Sequence, residues 1–167
     1  MRLRTFYSTI VLSDIHLGTS NSKTVEVSNF LKSVNCRRLI LNGDIIDGWA
    51  LQKGGTRKWQ AKHTDFFKVI MKMMEKQGTE VVYVRGNHDD FLDSLAPMSF
   101  YNVRIVKDFI HESHGKRYYV THGDIFDTVT PSLFKSRKRM SPGAAPGWVA
   151  WRFTSSQFWK SPSVTYP

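Results

Sequence analysis

The chain has 167 residues, of which 41% are hydrophobic and 13% aromatic, and it carries a formal charge of +10 at pH 7. That content of apolar residues fills the core of one domain and excludes a chain disordered along most of its length, while the single Cys36 excludes an intramolecular disulfide. The positive charge favours anionic partners (phosphorylated small molecules, nucleic acid or an anionic membrane surface) without ranking them.

The opening MRLRTFYSTIVL has the basic start and short apolar run of a signal peptide, but no small-residue cleavage site follows and Asp14 interrupts it. Phe6 to Leu12 is therefore predicted as a first buried strand. Val27, Phe30, Leu31 and Val34 keep the i, i+3, i+4, i+7 spacing of a helix with one apolar face, and Arg38 to Leu41 gives the next strand. Strand, helix and strand within so short a stretch make a right-handed βαβ unit, so the two strands run parallel. The pattern breaks into a loop around Gly54 and Gly55. Phe66, Phe67, Ile70, Met71 and Met74 then mark a helix ended by Gly78, with its methionine face read as core. Glu80 to Val84 is predicted as a third parallel strand, and Val103 to Val106, Phe109 to His111 and Tyr118 to Thr121 as shorter ones, the last two joined by a Ser-His-Gly-Lys turn.

After Pro131 the character changes. Lys135, Arg137, Lys138, Arg139, Arg152 and Lys160 add positive charge, Pro and Gly break every period, and five aromatic residues keep no helical spacing. The expected organisation is one catalytic domain over residues 1–130 followed by a basic, aromatic-rich tail or incomplete cap over 131–167. No stretch reaches the roughly 20 apolar residues of a membrane span. A soluble, cytoplasmic protein is expected, with peripheral contact of the basic tail at the inner membrane surface as an option.

Four of the predicted strands stop at a small polar cluster: Ser13-Asp14-Ile15-His16, Gly43-Asp44-Ile45-Ile46-Asp47, Gly86-Asn87-His88-Asp89 and Thr121-His122-Gly123-Asp124. Ligands of α/β sheets bind beyond the carboxyl ends of the strands, so metal-type side chains at four such ends are expected to converge. Asp14 and His16, two apart on an extended strand end, point to one side and grip one cation together. Asp44 follows a glycine, and its carboxylate is free to bridge two dications held about 3.5–4 Å apart. Asn87 and His122 offer an amide oxygen and an imidazole nitrogen to the second ion. Oxygen and nitrogen donors without thiolate suit manganese, iron or zinc. His88 stands beside a ligand, where it meets the phosphoryl group or protonates the leaving oxygen, and Asp89 is expected to fix its tautomer. The chemistry implied is hydrolysis of a phosphoester or pyrophosphate bond.

In their order and spacing, SDIHLG, NGDIIDGW, RGNHD and THGD resemble the successive blocks of the calcineurin-like metallophosphoesterases, over about Phe6 to Asp127. The resemblance implies an α/β fold in which a β-sandwich is flanked by helices. It also implies two divalent metal ions, manganese first, with Asp14, His16 and Asp44 on one, Asp44, Asn87 and His122 on the other, and His88 assisting. Within that superfamily, GDIIDGW followed by Lys58-Trp59-Gln60-Ala61-Lys62-His63 resembles the UDP-2,3-diacylglucosamine hydrolases of lipid A synthesis and their relatives. That likeness implies a nucleotide-linked lipid as substrate, cleaved to the lipid monophosphate and UMP. The resembled enzymes carry a further Gly-His-x-His block that gives each metal one more imidazole, whereas the last histidine here is His122. A fold incomplete at its C-terminus is therefore expected. An inactive or fragmentary phosphoesterase-fold protein and a nucleic-acid phosphodiesterase remain the alternatives.

Other residues are open at this level. His63 is read as a pocket residue or as facing solvent, His111 and His114 as exposed, Trp49 as core with a pocket wall as the alternative, and Asp47 and Asp124 as support for the metal shell or as simple caps.

Overall fold

A computed structural model of the chain describes residues 4–124. Strand β1 (Thr5–Leu12) leads through helix α1 (Thr24–Ser33) to β2 (Val34–Asn42), then α2 (Gly48–Gly54), α3 (Ala61–Gln77), β3 (Glu80–Val84), β4 (Met98–Phe100), β5 (Val103–Val106), β6 (Phe109–Ser113) and β7 (Lys116–Val120). Five strands form one sheet in the order β1-β2-β3-β5-β4, in which β1, β2, β3 and β5 run parallel and β4 antiparallel to β5. β6 and β7 form an antiparallel hairpin of their own. Its two-residue loop, His114-Gly115, has both residues at positive φ, as a type I′ turn requires.

Alternation along the parallel strands sorts the core into two layers. Leu39, Leu41, Val81 and Tyr83 pack with Val27, Leu31, Phe66, Ile70 and Met73 from α1 and α3. Ile40, Val82 and Val84 face the other way, against Val106, Phe109 and Val120. A residue such as Phe66, fully buried, contributes about 1.5–3 kcal/mol relative to its exposed state. The result is an α/β arrangement with helices on one face of a mainly parallel sheet and a hairpin on the other.

Four expectations about local structure change. Val34 starts β2 instead of ending α1: it pairs with Thr5, and its β-branched side chain suits the pleat. The stretch before Gly54 is helix, started by Asp47, whose Oδ1 accepts from the Ala50 amide at 2.7 Å. His63 neither lines a pocket at the surface nor faces water. It is fully buried in the first turn of α3, and its Nδ1 accepts from the Gln60 amide at 3.1 Å in a capping box. His111 is also buried, its Nδ1 beside Arg38 Nη1 at 3.0 Å, whereas His114 is exposed as expected. Residues 131–167, the expected tail, lie outside the described residues. Among the described residues, no helix is long and apolar enough to cross a membrane.

Candidate metal centre

The polar clusters that follow β1, β2, β3 and β7 meet at one end of the sheet. Backbone hydrogen bonds tie the first two loops together: Asp14 N donates to Gly43 O (3.1 Å), His16 N to Asp44 O (2.9 Å) and Leu17 N to Ile45 O (2.8 Å). The third is joined by Gly48 N donating to His88 O at 2.8 Å, and by the His88 amide donating to Asp44 Oδ1 at 2.9 Å. Close approach here depends on glycine. A Cβ on Gly86 would stand 2.3 Å from Asp44 Oδ1 and 2.5 Å from its backbone nitrogen, and one on Gly43 would stand 2.3 Å from His122 Nδ1.

Asp14, His16 and Asp44 all have φ between 52° and 56°, in the left-handed region that L residues rarely adopt. The expectation that Asp14 and His16 share a side because they lie on extended backbone is therefore overturned. β1 ends at Leu12, and each turns inward through its own left-handed step. Such steps persist only where surrounding structure over-determines them, and here three of them meet at one pocket.

Asp44 is 4% exposed and stands at the centre. Its Oδ2 lies 3.2 Å from His122 Nε2 and 3.8 Å from His16 Nε2. Two sets of donor atoms lie within 4.8 Å of one another, Asp14 with Asp44 and His122, and His16 with Asp44 and His88. Asp44 belongs to both, but the partners differ from the expected ones: Asp14 falls with His122, and His88 falls within ligand distance of His16. Asn87 is half-buried between Gly86 and His88, in the loop that abuts Asp44.

Asp89 does not orient His88. It is fully buried and turned away, accepting at Oδ2 from the Ile45 amide (3.0 Å) and the Tyr83 hydroxyl (2.6 Å), and at Oδ1 from the Gly86 amide. The carboxylate beside His88 is Asp47, whose Oδ1 lies 3.2 Å from His88 Nδ1 and whose Oδ2 lies 3.4 Å from His16 Nδ1. Asp47 thus faces two imidazoles while also capping α2. Both readings of Asp47 hold, support for the shell and a cap, and it reaches His88 through the closure of the β2 and β3 loops. Trp49 is not core: it is 42% exposed, and its ring lies 4.3 Å from that of His88.

Burial pushes the Asp44 carboxyl upward, but the His122 hydrogen bond, the His88 amide and the charge of both imidazoles outweigh it and hold it below its ordinary value. Burial opposes charge on His122 as well, yet Asp44 raises its imidazole to about 9. Asp14 is raised, chiefly by burial and despite the nearby His122. Carboxylates and imidazoles without thiolate, crowded around one buried carboxylate, are a donor set that fits divalent cations. The Nδ1 atoms of His16 and His88 are buried, face the Asp47 carboxylate and make no well-aligned hydrogen bond, the state of side chains whose donor set fits a cation.

A family model described as calcineurin-like phosphoesterase matches residues 7–164. Among curated proteins none matches. Three solved structures resemble the chain: Pseudomonas putida nuclease MPE (21% identical over 69% of this chain and 54% of that one, TM-score 0.42), a protein of unknown function from Aquifex aeolicus (20%, 68% and 59%, TM-score 0.40), and a conserved uncharacterized protein of Streptococcus pneumoniae titled a predicted phosphoesterase (18%, 72% and 48%, TM-score 0.31). The chain spans about half the length of these relatives.

Proposed function

The chain belongs to the calcineurin-like phosphoesterase family, and from that membership and the pocket's geometry we propose that it binds two divalent cations and hydrolyses a phosphoester or pyrophosphate bond. The observation that carries the proposal is the double membership of Asp44: one buried carboxylate serves both donor sets. On this reading Asp14, Asp44 and His122 hold one cation, His16 and Asp44 hold the other, and Asn87 adds its amide oxygen. Such ions supply Lewis-acid polarisation of a phosphoryl oxygen and a nucleophile at neutral pH.

The residues do the rest. Asp47 faces Nδ1 of His88 and leaves Nε2, the ring's other nitrogen, for the phosphoryl group. As water adds to phosphorus and the bond to the leaving oxygen breaks, His88 delivers the proton that the leaving oxygen needs. The Trp49 ring, packed on His88, limits the swing of the imidazole. The preferred substrate in this proposal is UDP-2,3-diacylglucosamine, cleaved to the lipid monophosphate and UMP, with manganese as the metal. The likeness of Gly43 to Trp49 and of Lys58 to His63 to those hydrolases supports it, and so does the net charge of +10, which favours an anionic substrate.

The test is turnover of UDP-2,3-diacylglucosamine, of bis(p-nitrophenyl) phosphate and of single-stranded DNA with and without manganese. Metal-dependent release of UMP, abolished in Asp44→Ala and reduced by about 10²-fold or more in His88→Ala, is expected. Metal-independent turnover, or full activity in either variant, contradicts the proposal. Cleavage of DNA alone keeps the chemistry and overturns the substrate.

A further inference from the structure

His122 differs from the other candidate ligands in how it is held. Asp14, His16 and Asp44, with His88 beside them, sit on loops of the main sheet that are laced together by hydrogen bonds from backbone amides. His122 follows β7, which among the described residues pairs only with β6. Among the described residues, the loop Thr121 to Asp124 reaches the main sheet through side chains. On one flank the Asn42 amide donates to Thr121 O at 3.2 Å, while Asn42 O pairs with His122 Nδ1 at 3.2 Å. On the other flank Asp124 pairs with Arg85, the residue that follows β3. The Arg85 side chain is only 16% exposed, its Nε lies 2.9 Å from Asp93 Oδ1, and its own amide donates to Val106 O at 3.0 Å. It is a strut anchored at its base by a backbone hydrogen bond, and it joins the segment after β3 to the loop that carries His122.

We propose that Arg85 is a positioning residue: through Asp124 it fixes the approach of His122 to Asp44, and so sets the affinity of the Asp14, Asp44 and His122 cation site while leaving the His16 and Asp44 site untouched. This rests on the two-cation reading above. Outer-sphere partners of metal ligands typically change metal affinity by about 10- to 100-fold when removed. A pair that merely stabilised the fold would act on both sites alike or on neither.

The experiment is a calorimetric titration of manganese into the unaltered chain, Arg85→Ala, Arg85→Lys and Asp124→Asn. Glu80→Gln, which loosens a distant Arg38 and Arg104 pairing, is the control. The expected result is one class of site weakened roughly 10- to 100-fold in Arg85→Ala and in Asp124→Asn, partial recovery in Arg85→Lys, and the other class unchanged. Glu80→Gln should bind both ions as the unaltered chain does. If Arg85→Ala does not fold, Asp124→Asn takes the charge out of the same tie from the loop side and decides the matter alone. Retention of both affinities, or an equal fall in both, overturns the inference by itself. An unaltered chain that binds no ion overturns the proposed function, and this inference with it.

Discussion

Replacing Gly86 with alanine tests the packing that brings the β3 loop onto Asp44. The new methyl carbon would lie 2.3 Å from Asp44 Oδ1, 2.5 Å from the Asp44 nitrogen and 3.0 Å from Gly43 Cα, and two of these atoms belong to backbone. A flexible side chain could yield; a loop held by Asp14 N to Gly43 O and His16 N to Asp44 O cannot move without breaking those bonds. Overpacking of this kind costs about 3 kcal/mol or more. Gly78→Ala supplies the internal reference. Gly78 ends α3 at φ 65° with nothing within 4 Å of an added Cβ, so only the left-handed conformation is penalised, by roughly 1–2 kcal/mol. Both substitutions restrict the unfolded chain equally, so the difference between them isolates the clash. Urea unfolding in the presence of chelator should place Gly86→Ala about 2 kcal/mol below Gly78→Ala, a gap of roughly 4–8 °C in thermal midpoint. If Gly86→Ala proves the more stable of the two, the loops do not meet as described.

Tyr83→Phe removes the donor to a buried carboxylate and should lower stability by about 1.5–3 kcal/mol in the same urea assay, since the Ile45 and Gly86 amides still reach Asp89. Asp47→Ala should remove the α2 cap, worth about 1 kcal/mol, and should also slow turnover through His88, whereas Asp65→Ala, at an exposed pair with Lys68, should change neither by much. For pH dependence, burial raises the Glu80 carboxyl but Arg38 and Arg104 outweigh it and hold it below its ordinary 4.5. A carboxyl depressed on folding stabilises above its unfolded value and loses that contribution as pH falls through the folded one. Stability should therefore decline below pH 4.5, and Glu80→Gln should flatten that decline; an identical acid profile in the variant refutes the assignment.

Strands β2 and β3 are legible because each is an apolar run, buried on both faces, that stops at a polar cluster; β1 stops the same way but is an edge strand with Phe6 and Val11 exposed. The same pattern leads to the expected convergence of Asp14, His16, Asp44, Asn87 and His122; the donor groups that form include Asp14, His16, Asp44 and His122, with His88 in the place expected for Asn87. What spacing could not show was how each residue gets there. The left-handed steps at Asp14 and His16 look extended in a linear reading, because nothing in an Asp-Ile-His triplet announces positive φ. The exchange of roles between Asp47 and Asp89 depends on where Tyr83, Ile45 and Gly86 sit around a closed loop, which is tertiary information. His63 escaped because a Gln and His capping box is an uncommon variant of the usual Ser or Thr and Glu pairing. For Trp49 the pocket-wall alternative holds over core: an aromatic residue beside a helix start usually packs inward, and here it packs on the His88 imidazole.

Crystals grown with manganese and measured near its absorption edge put the two-cation claim to the most direct test. Two anomalous peaks about 3.5–4 Å apart are expected, one on either side of the Asp44 carboxylate, the first beside Asp14 and His122 and the second beside His16. A single peak remote from Asp44, or none at saturating metal, would contradict it.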